Sequence, residues 1–271
     1  YMKINFIKYH GTGNDFILID NRSKNYFLKN NQIKFLCDRK YGIGADGLIL
    51  LNSSKNQDFE MSYFNADGNK STMCGNGGRC IVDFARYLNI IESETTFLAC
   101  DGVHVAKILN KSKISLSMSN IINIEKKSND IFIDSGSPHK IIQTNNIEDI
   151  DVFNLGKKHR NLLEYQPDGV NINFVQKISN DTFKIRTYER GVENETLSCG
   201  TGAVASAIAM HYSEQTEKNK ILIKTLGGDL IITFDSQFRK SYCNIYLEGE
   251  VKIAFKGNIE IRWKHFYEIL K

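Results

Sequence analysis

Hydrophobic and polar residues follow one another along this chain in short segments, most of which have the length and apolar content of β-strands. In the first 118 residues the pattern predicts strands at 2–9, 16–20, 47–51, 59–64, 95–100, 103–109 and 114–118. One short helix is expected from a cap at Asn31 through Arg39. A longer helix is predicted from Asn76 to Leu88, because apolar residues recur there at helical spacing.

The rest of the chain gives a similar series of elements. Strands are predicted at residues 131–135, 140–143, 170–178, 182–188, 220–225, 229–234, 244–247 and 252–255. A helix is predicted at 200–212, and it is apolar almost all round from Ala203 to Met210, which indicates burial on every side. Because short turns join most of the strands, we expect largely antiparallel sheets.

The second part of the sequence repeats the first at an offset of 125 residues, the distance from Cys74 to Cys199. Four polar, mostly glycine-containing landmarks keep this offset over more than a hundred residues, which predicts two similar halves. The matching segments are 11–14 with 136–139, 44–46 with 169–171, 63–65 with 188–190 and 74–77 with 199–202. The alternative, two unrelated halves with an arbitrary alignment, stays open.

These patterns predict an α/β fold of the α+β type, built from two similar, pseudo-symmetric lobes. Each lobe is expected to be a mostly antiparallel sheet wrapped around a central helix. The N-terminal lobe is assigned to residues 1–118 and the C-terminal lobe to 119–250. The polar, asparagine-rich stretch 119–129 is the predicted linker.

Composition and charge narrow the class of function. With 271 residues, the chain is near the length at which one hydrophobic core divides. Its net charge of +4 comes from interspersed acids and bases, so we expect no nucleic-acid partner. Apolar runs are too short for a membrane span, and the N-terminus lacks the apolar region of a signal peptide. We therefore expect a cytoplasmic protein with no membrane partner.

Six cysteines are present, and in a chain of this length without an export signal they are expected to be reduced. Cys37, Cys80, Cys100 and Cys243 are interpreted as small hydrophobic residues. A zinc site that includes Cys74 and Cys80 is disfavoured, because the five-residue gap is unusual and no second ligand pair is near. No metal is expected.

Cys74 and Cys199 differ from the others because each stands directly before a predicted helix and is followed by glycine. A helix N-terminus lowers a thiol pKa and offers backbone N–H groups to an anion. If the repeat brings the two helix starts together, the two thiols face one another across a single α-carbon. One thiol could then remove a proton from one face and the other could return a proton to the opposite face. No lysine stands out as a Schiff-base residue, so no cofactor is expected.

Six motifs in this sequence resemble those of the diaminopimelate epimerase family. They are HGTGNDF at 10–16, GIGADG at 42–47, FNADG at 64–68, MCGNGGRC at 73–80, YERG at 188–191 and SCGTGA at 198–203. The resemblance implies a cofactor-independent epimerase that interconverts LL- and meso-2,6-diaminopimelate in lysine and cell-wall precursor biosynthesis. It also implies that the two lobes close over the substrate, with the active site in the cleft between them, and that residues 251–271 return to the N-terminal lobe.

The resemblance also implies a set of site residues, with Cys74 and Cys199 as the acid/base pair. The substrate-binding residues would be Asn14, Asn65, Gly75, Asn76, Asn171, Glu189, Arg190, Gly200 and Thr201, supported by His139. Among them, the residues at the helix starts would hold the reacting carboxylate, and Asn65, Asn171 and Arg190 the distal amino-acid end. Ser137 and Gly47 depart from residues common in the family, so no side-chain role is assigned to them.

Two other functions stay open at this point. A proline or hydroxyproline racemase, or another amino-acid racemase of the same fold, would use the two thiols on a substrate without a distal amino-acid end. A non-catalytic module that closes over a ligand would need neither thiol. The partner is expected to be a small molecule, and the oligomeric state stays open with a homodimer as one expectation.

Overall fold

The computed structural model describes residues 2–261. Within this range the chain forms four α-helices and sixteen strands. The helices are α1 (Asn30–Cys37), α2 (Gly75–Tyr87), α3 (Val152–Arg160) and α4 (Gly200–Tyr212). A short 3₁₀ turn at Leu163–Tyr165 follows α3.

The strands divide into two series. The first comprises β1 (Met2–Gly11), β2 (Asn14–Asp20), β3 (Gly47–Asn52), β4 (Phe59–Asn65), β5 (Glu94–Ala99), β6 (Gly102–Ile108) and β7 (Lys113–Met118). The second comprises β8 (Ile124–Lys127), β9 (Asp130–Asp134), β10 (Pro138–Gln143), β11 (Asn171–Lys177), β12 (Thr182–Glu189), β13 (Asn194–Thr196), β14 (Lys220–Thr225), β15 (Gly228–Gln237) and β16 (Ser241–Ile261).

The strands on the two sides of the sheet's centre follow one another with the same pattern of parallel and antiparallel pairs. Their order runs β1-β2-β3-β4-β5-β6-β7-β16-β15-β14-β12-β11-β10-β9-β8, and β7 and β16 meet at the centre with Leu116 opposite Leu247. The parallel pairs β2–β3 and β4–β5 on one side correspond to β10–β11 and β12–β14 on the other. The other pairings are antiparallel. The prediction of an α/β fold with two similar lobes is thus confirmed.

Each lobe encloses one long helix. Helix α2 packs against β1, β2, β3, β4, β6, β7 and β16, whereas α4 packs against β9, β10, β11, β12, β14, β15 and β16. Every residue of α4 from Gly200 to His211 is buried, as its all-round apolar sequence predicts. Because both helices are surrounded by strands, their N-termini are fixed in position by the packed cores.

Strand β16 belongs to both lobes. Residues 245–250 of β16 pair with β7 on one side. On the other side, residues 230–237 of β15 pair with β16. From Val251 to Ile261 the strand continues alongside β1. The sequence predicted two short strands at 244–247 and 252–255, but they are parts of this one strand. The lobe boundaries at 118, 119 and 250 remain predictions, and the predicted return of 262–271 lies outside the described residues.

Three elements were missed, and two local predictions are wrong. Helix α3 and strands β8 and β13 were not predicted. Helix α1 is not capped by Asn31 and does not reach Arg39: its N-cap is Lys29, two residues earlier, and it ends at Cys37. The backbone N–H of Lys29 donates to Gln32 Oε1 at 2.8 Å. The stretch 119–129 is not only a linker, because it contains β8, which pairs with β9 at the edge of the sheet. No helix among residues 2–261 is long and apolar enough to cross a membrane.

Candidate active site

A cavity of about 530 Å³ lies where the N-termini of α2 and α4 meet. Both lobes contribute to its wall, and so do all eleven catalytic and substrate-binding residues predicted from the sequence. These are Asn14, Asn65, Cys74, Gly75, Asn76, Asn171, Glu189, Arg190, Cys199, Gly200 and Thr201. His139 does not line the cavity, but its Nε2 lies 2.9 Å from Thr201 Oγ1, directly behind the wall.

The two helix starts approach within van der Waals contact. A Cβ atom on Gly75 would lie 3.6 Å from the Cα of Gly200, and one on Gly200 would lie 3.3 Å from the backbone nitrogen of Asn76. Either Cβ would also press on the side chain of Leu247, at 2.7 and 3.0 Å respectively. A larger residue at either position would therefore have to move the Leu247 side chain, and one at position 200 would also crowd the backbone of Asn76. Cys74 and Cys199 are the N-cap residues of these helices, so the two thiols border one shared cavity.

The Cys74 thiol faces a hydrogen-bond acceptor. Asn14 Nδ2 donates to Asp46 Oδ2 at 2.7 Å, which fixes the orientation of the Asn14 amide. Its oxygen, Oδ1, is then turned toward Cys74 Sγ at 3.6 Å and also accepts from Asn76 Nδ2 at 3.3 Å. An amide oxygen only accepts, so this contact favours the protonated thiol of Cys74.

The Cys199 thiol faces the opposite arrangement. Thr187 donates to Asn173 Oδ1, and Asn173 Nδ2 in turn donates to His139 Nδ1, both at 2.9 Å. Burial lowers the pKa of His139 to about 3, so the imidazole is neutral and carries its proton on Nε2. Nε2 then donates to the hydroxyl oxygen of Thr201. The Thr201 hydroxyl can therefore donate its own proton to Cys199 Sγ, which lies 3.5 Å away. This series of hydrogen bonds favours the thiolate form of Cys199.

Burial opposes the thiolate form of both cysteines. It raises the pKa of Cys74 to about 11, although the backbone N–H groups at Gly77 and Asn76 act in the other direction. Burial also raises the pKa of Cys199, and the nearby charge of Glu189 adds to this. The helix N-termini thus lower these pKa values, as the sequence predicts, but desolvation raises them by more.

Glu189 combines a half-buried, largely desolvated carboxyl group with a position beside both thiols. Burial raises its pKa from 4.5 to about 7, and the Asp46 carboxylate adds to the effect. Its charge in turn raises the pKa of Cys74 and of Cys199. A protonated Glu189 therefore makes either thiolate easier to form.

The raised pKa of Glu189 predicts how stability depends on pH. Between pH 4.5 and 7 the unfolded chain loses this proton while the folded protein keeps it, so folding stability falls as the pH rises through this range. The difference between these two pKa values corresponds to about 3 kcal/mol. We expect Glu189→Gln to be more stable than wild type at pH 8 by up to this amount, with no gain at pH 4. Urea unfolding at the two pH values measures it, and an equal gain at both would contradict this origin.

Two arginines line the cavity where Asp168 and Asn171 also contribute to its wall. Asn171 donates to Ser137 Oγ at 2.8 Å and accepts from the backbone N–H of Arg190 at 2.8 Å, which fixes the chain at Arg190. The Arg190 guanidinium bonds only weakly, to Asp168 O at 3.4 Å. Arg160 also lines the cavity and pairs with Glu193 at 2.8 Å. This part of the cavity is therefore suited to an anionic group.

Sequence reasoning missed several residues of this wall. Asp46 lies within a quoted motif but received no role, and Arg160 lies on the unpredicted helix α3. The repeat offset of 125 could have found that helix, since the predicted helix 31–39 falls on 156–164. Within the part of the chain that the structure describes, no group of three or more His, Cys, Asp or Glu residues could hold a metal ion, and all six cysteines are free thiols.

Comparison with known proteins places this site in a family. The sequence matches the family model described as diaminopimelate epimerase over residues 6–96 and 131–254. The chain belongs to the diaminopimelate epimerase family. A diaminopimelate epimerase of Flavobacterium psychrophilum is 50% identical over 253 residues, which cover 93% of this chain and 98% of that protein.

Solved structures show that the fold is shared beyond the diaminopimelate epimerase family. A phenazine biosynthesis protein of the PhzF family from Bacillus anthracis has a TM-score of 0.76 at 13% identity, covering 96% of this chain and 100% of its own. A probable proline racemase from Agrobacterium radiobacter has a TM-score of 0.71 at 13% identity, covering 97% and 94%. At such low identity these likenesses concern the fold alone.

Proposed function

We propose that this protein interconverts LL- and meso-2,6-diaminopimelate without a cofactor, using Cys74 and Cys199 as its acid and base. The observation that carries the proposal is the meeting of two N-cap thiols at one cavity, in a chain of the diaminopimelate epimerase family. Such an enzyme serves lysine and cell-wall precursor biosynthesis in the cytoplasm.

The proposed reaction can begin with Cys199 as thiolate and Cys74 as thiol, the forms that the Thr201 hydroxyl and the Asn14 amide oxygen favour respectively. The Cys199 thiolate takes the α-hydrogen as a proton, and the electron pair of the broken C–H bond moves toward the substrate carboxylate. The Cys74 thiol then gives its proton to the opposite face of the α-carbon. The cycle ends with the two protonation states exchanged, which is the form that reacts with the other epimer.

The helix starts stabilise the charge that develops on the carboxylate. We assign this role to the backbone N–H groups at Gly75, Asn76, Gly200 and Thr201, since free N–H groups at helix N-termini bind anions. Each well-placed donor is worth about 2.7–4 kcal/mol in the transition state. Each positioned acid or base adds roughly 10²–10⁴-fold. Together these reach the lower part of the range of about 8–23 kcal/mol by which enzymes lower barriers.

The distal end of the cavity selects a substrate with two amino-acid groups. We assign Arg190, with Asn65 and Asn171, to the amino-acid end that does not react, and Arg160 extends this grip. Proline has no second carboxylate to place there. The arrangement of charges at this end therefore favours diaminopimelate over proline or hydroxyproline.

Turnover of purified protein with LL-diaminopimelate, in buffer without any added cofactor, tests the proposal. We expect the circular dichroism signal to move to the value of the equilibrium mixture with meso-diaminopimelate. A parallel incubation with L-proline should stay unchanged. Turnover of proline alone would reassign the protein to the racemases of this fold, and no change with either substrate would contradict an epimerase.

A further inference from the structure

Arg79 is a fully buried cation with no anionic partner in the part of the chain that the structure describes. Its side chain lies on α2 and has 0% exposure. Among residues 2–261, no carboxylate comes within ion-pair distance of its guanidinium, and its Nε has no hydrogen-bond partner. Buried charges are normally paired because removal from water is costly. An unpaired one therefore calls for an explanation other than stability.

The fold keeps space for this guanidinium between two strands. A Cβ atom on Gly249 of β16 would lie 3.0 Å from Arg79 Cζ and Nε. One on Gly11 of β1 would lie 3.4 Å from Arg79 Nη2. A side chain at position 249 would therefore crowd the guanidinium, whereas position 11 lies at ordinary contact distance from it, so the guanidinium is packed closely between these two strands beneath the start of α2.

The guanidinium contacts the cavity wall through two residues. Nη1 donates to the carbonyl oxygen of Gly75 at 3.3 Å, and Nη2 donates to Asn76 Oδ1 at 2.8 Å. Because a guanidinium only donates, it turns the Asn76 amide so that Nδ2 points away. Nδ2 then donates to the carbonyl of Ser198, in the other lobe, at 3.0 Å. Arg79 thus fixes a link between the two helix starts.

The repeat shows that such a helix folds without this charge. The residue of α4 that corresponds to Arg79 at the offset of 125 is Val204, which is also fully buried. Helix α4 has the same length as α2 and is likewise enclosed by strands. A cation at this depth is therefore specific to the Cys74 side of the cavity.

We propose that Arg79 is a positioning residue that acts through Gly75 and Asn76. Its buried charge stabilises negative charge at the start of α2, both on the Cys74 thiolate and on a bound carboxylate. The carboxylate part rests on the proposed function, whereas the thiolate part does not. Consistent with this, burial lowers the pKa of Arg79 only to about 10, so it is charged at neutral pH.

The test changes the side chain of Arg79 and measures the reactivity of the Cys74 thiol. Arg79→Met removes the charge, Arg79→Lys keeps it, and Arg86→Met removes a cation from the exposed end of the same helix as a control. The rate at which iodoacetamide modifies Cys74, measured by mass spectrometry of its peptide across pH, reports the thiolate. Glu189, Tyr63 and Cys199 also act on this titration and are unchanged in all three variants.

For Arg79→Met we expect the pH profile of Cys74 modification to shift by about one pH unit toward higher pH. At pH values below its midpoint, the rate of modification then falls about tenfold. We expect kcat to fall by roughly 10²-fold. The Tm should stay the same or rise, since an apolar replacement removes an unpaired buried charge. Arg79→Lys should restore most of the profile, and Arg86→Met, which removes the partner of Asp83 at the other end of the helix, should keep the wild-type profile and kcat.

Two results would overturn the proposal. One is a wild-type modification profile in Arg79→Met. The other is a lower Tm in Arg79→Met together with an equally defective Arg79→Lys, which would indicate packing as the role. Because the modification profile and the Tm need no substrate, they decide the role of Arg79 even if the protein does not turn over diaminopimelate.

Discussion

Cys199→Ala is expected to lose epimerisation by about 10³–10⁴-fold while still exchanging the α-hydrogen of one epimer with solvent. The reason is geometric, because each thiol reaches only one face of the α-carbon from its own helix start. The remaining Cys74 can remove and return a proton on its own face, but nothing can supply a proton to the other. Cys74→Ala should behave in the same way with the other epimer.

Incubation of each variant with LL- and with meso-diaminopimelate in D₂O, followed by NMR, measures this exchange. The two variants should label opposite epimers, and in the wild type early product should carry deuterium while recovered substrate stays unlabelled. Cys243→Ala is the matched control, since this half-buried thiol does not line the cavity. Turnover near the wild-type rate in either variant would rule out the two-base mechanism, and so would labelling of the same epimer by both variants.

Arg190→Met is expected to raise KM for diaminopimelate by roughly 10- to 150-fold, with a smaller effect on kcat. A hydrogen bond to a charged group is worth about 1.5–3 kcal/mol, and among residues 2–261 this guanidinium makes one weak hydrogen bond that would compete with the substrate. The effect falls on binding because the distal end of the substrate does not change during the reaction.

Initial rates over a range of diaminopimelate concentrations measure both constants. Arg22→Met serves as the control, because Arg22 pairs with Asp20 on the surface and does not line the cavity. An unchanged KM, or a loss confined to kcat, would show that Arg190 does not hold the distal group. The assignment of the cavity ends would then have to be reversed.

The helix starts were predictable from sequence because their determinants are local. A cysteine at the N-cap followed by glycine needs only neighbouring residues, and the offset of 125 then places both copies in equivalent positions. The buried faces of α2 and α4 followed from their apolar spacing for the same reason. The edge strand β8 escaped notice because Ile124 alone of its residues packs against the core, so its sequence does not alternate.

The rest of the site depends on contacts between segments far apart in sequence. Asp46 gains its role only where β3 begins beside Asn14, and no local pattern shows which amide it orients. The pKa values of the thiols likewise depend on how deeply the lobes bury them, which outweighs the local helix effect. Helix α3 carries a cap at Asp151 and basic residues in its last turn, yet its apolar face is too short for periodicity to reveal.

The path of β16 has a consequence for synthesis on the ribosome. Strand β1 emerges before its outer neighbour, Val251–Ile261, which is translated on the order of tens of seconds later. Until then, β1 exposes unpaired backbone groups that can recruit strands from other chains. The nascent N-terminal lobe should thus be most prone to aggregation, and most dependent on chaperones, before the last described strand arrives.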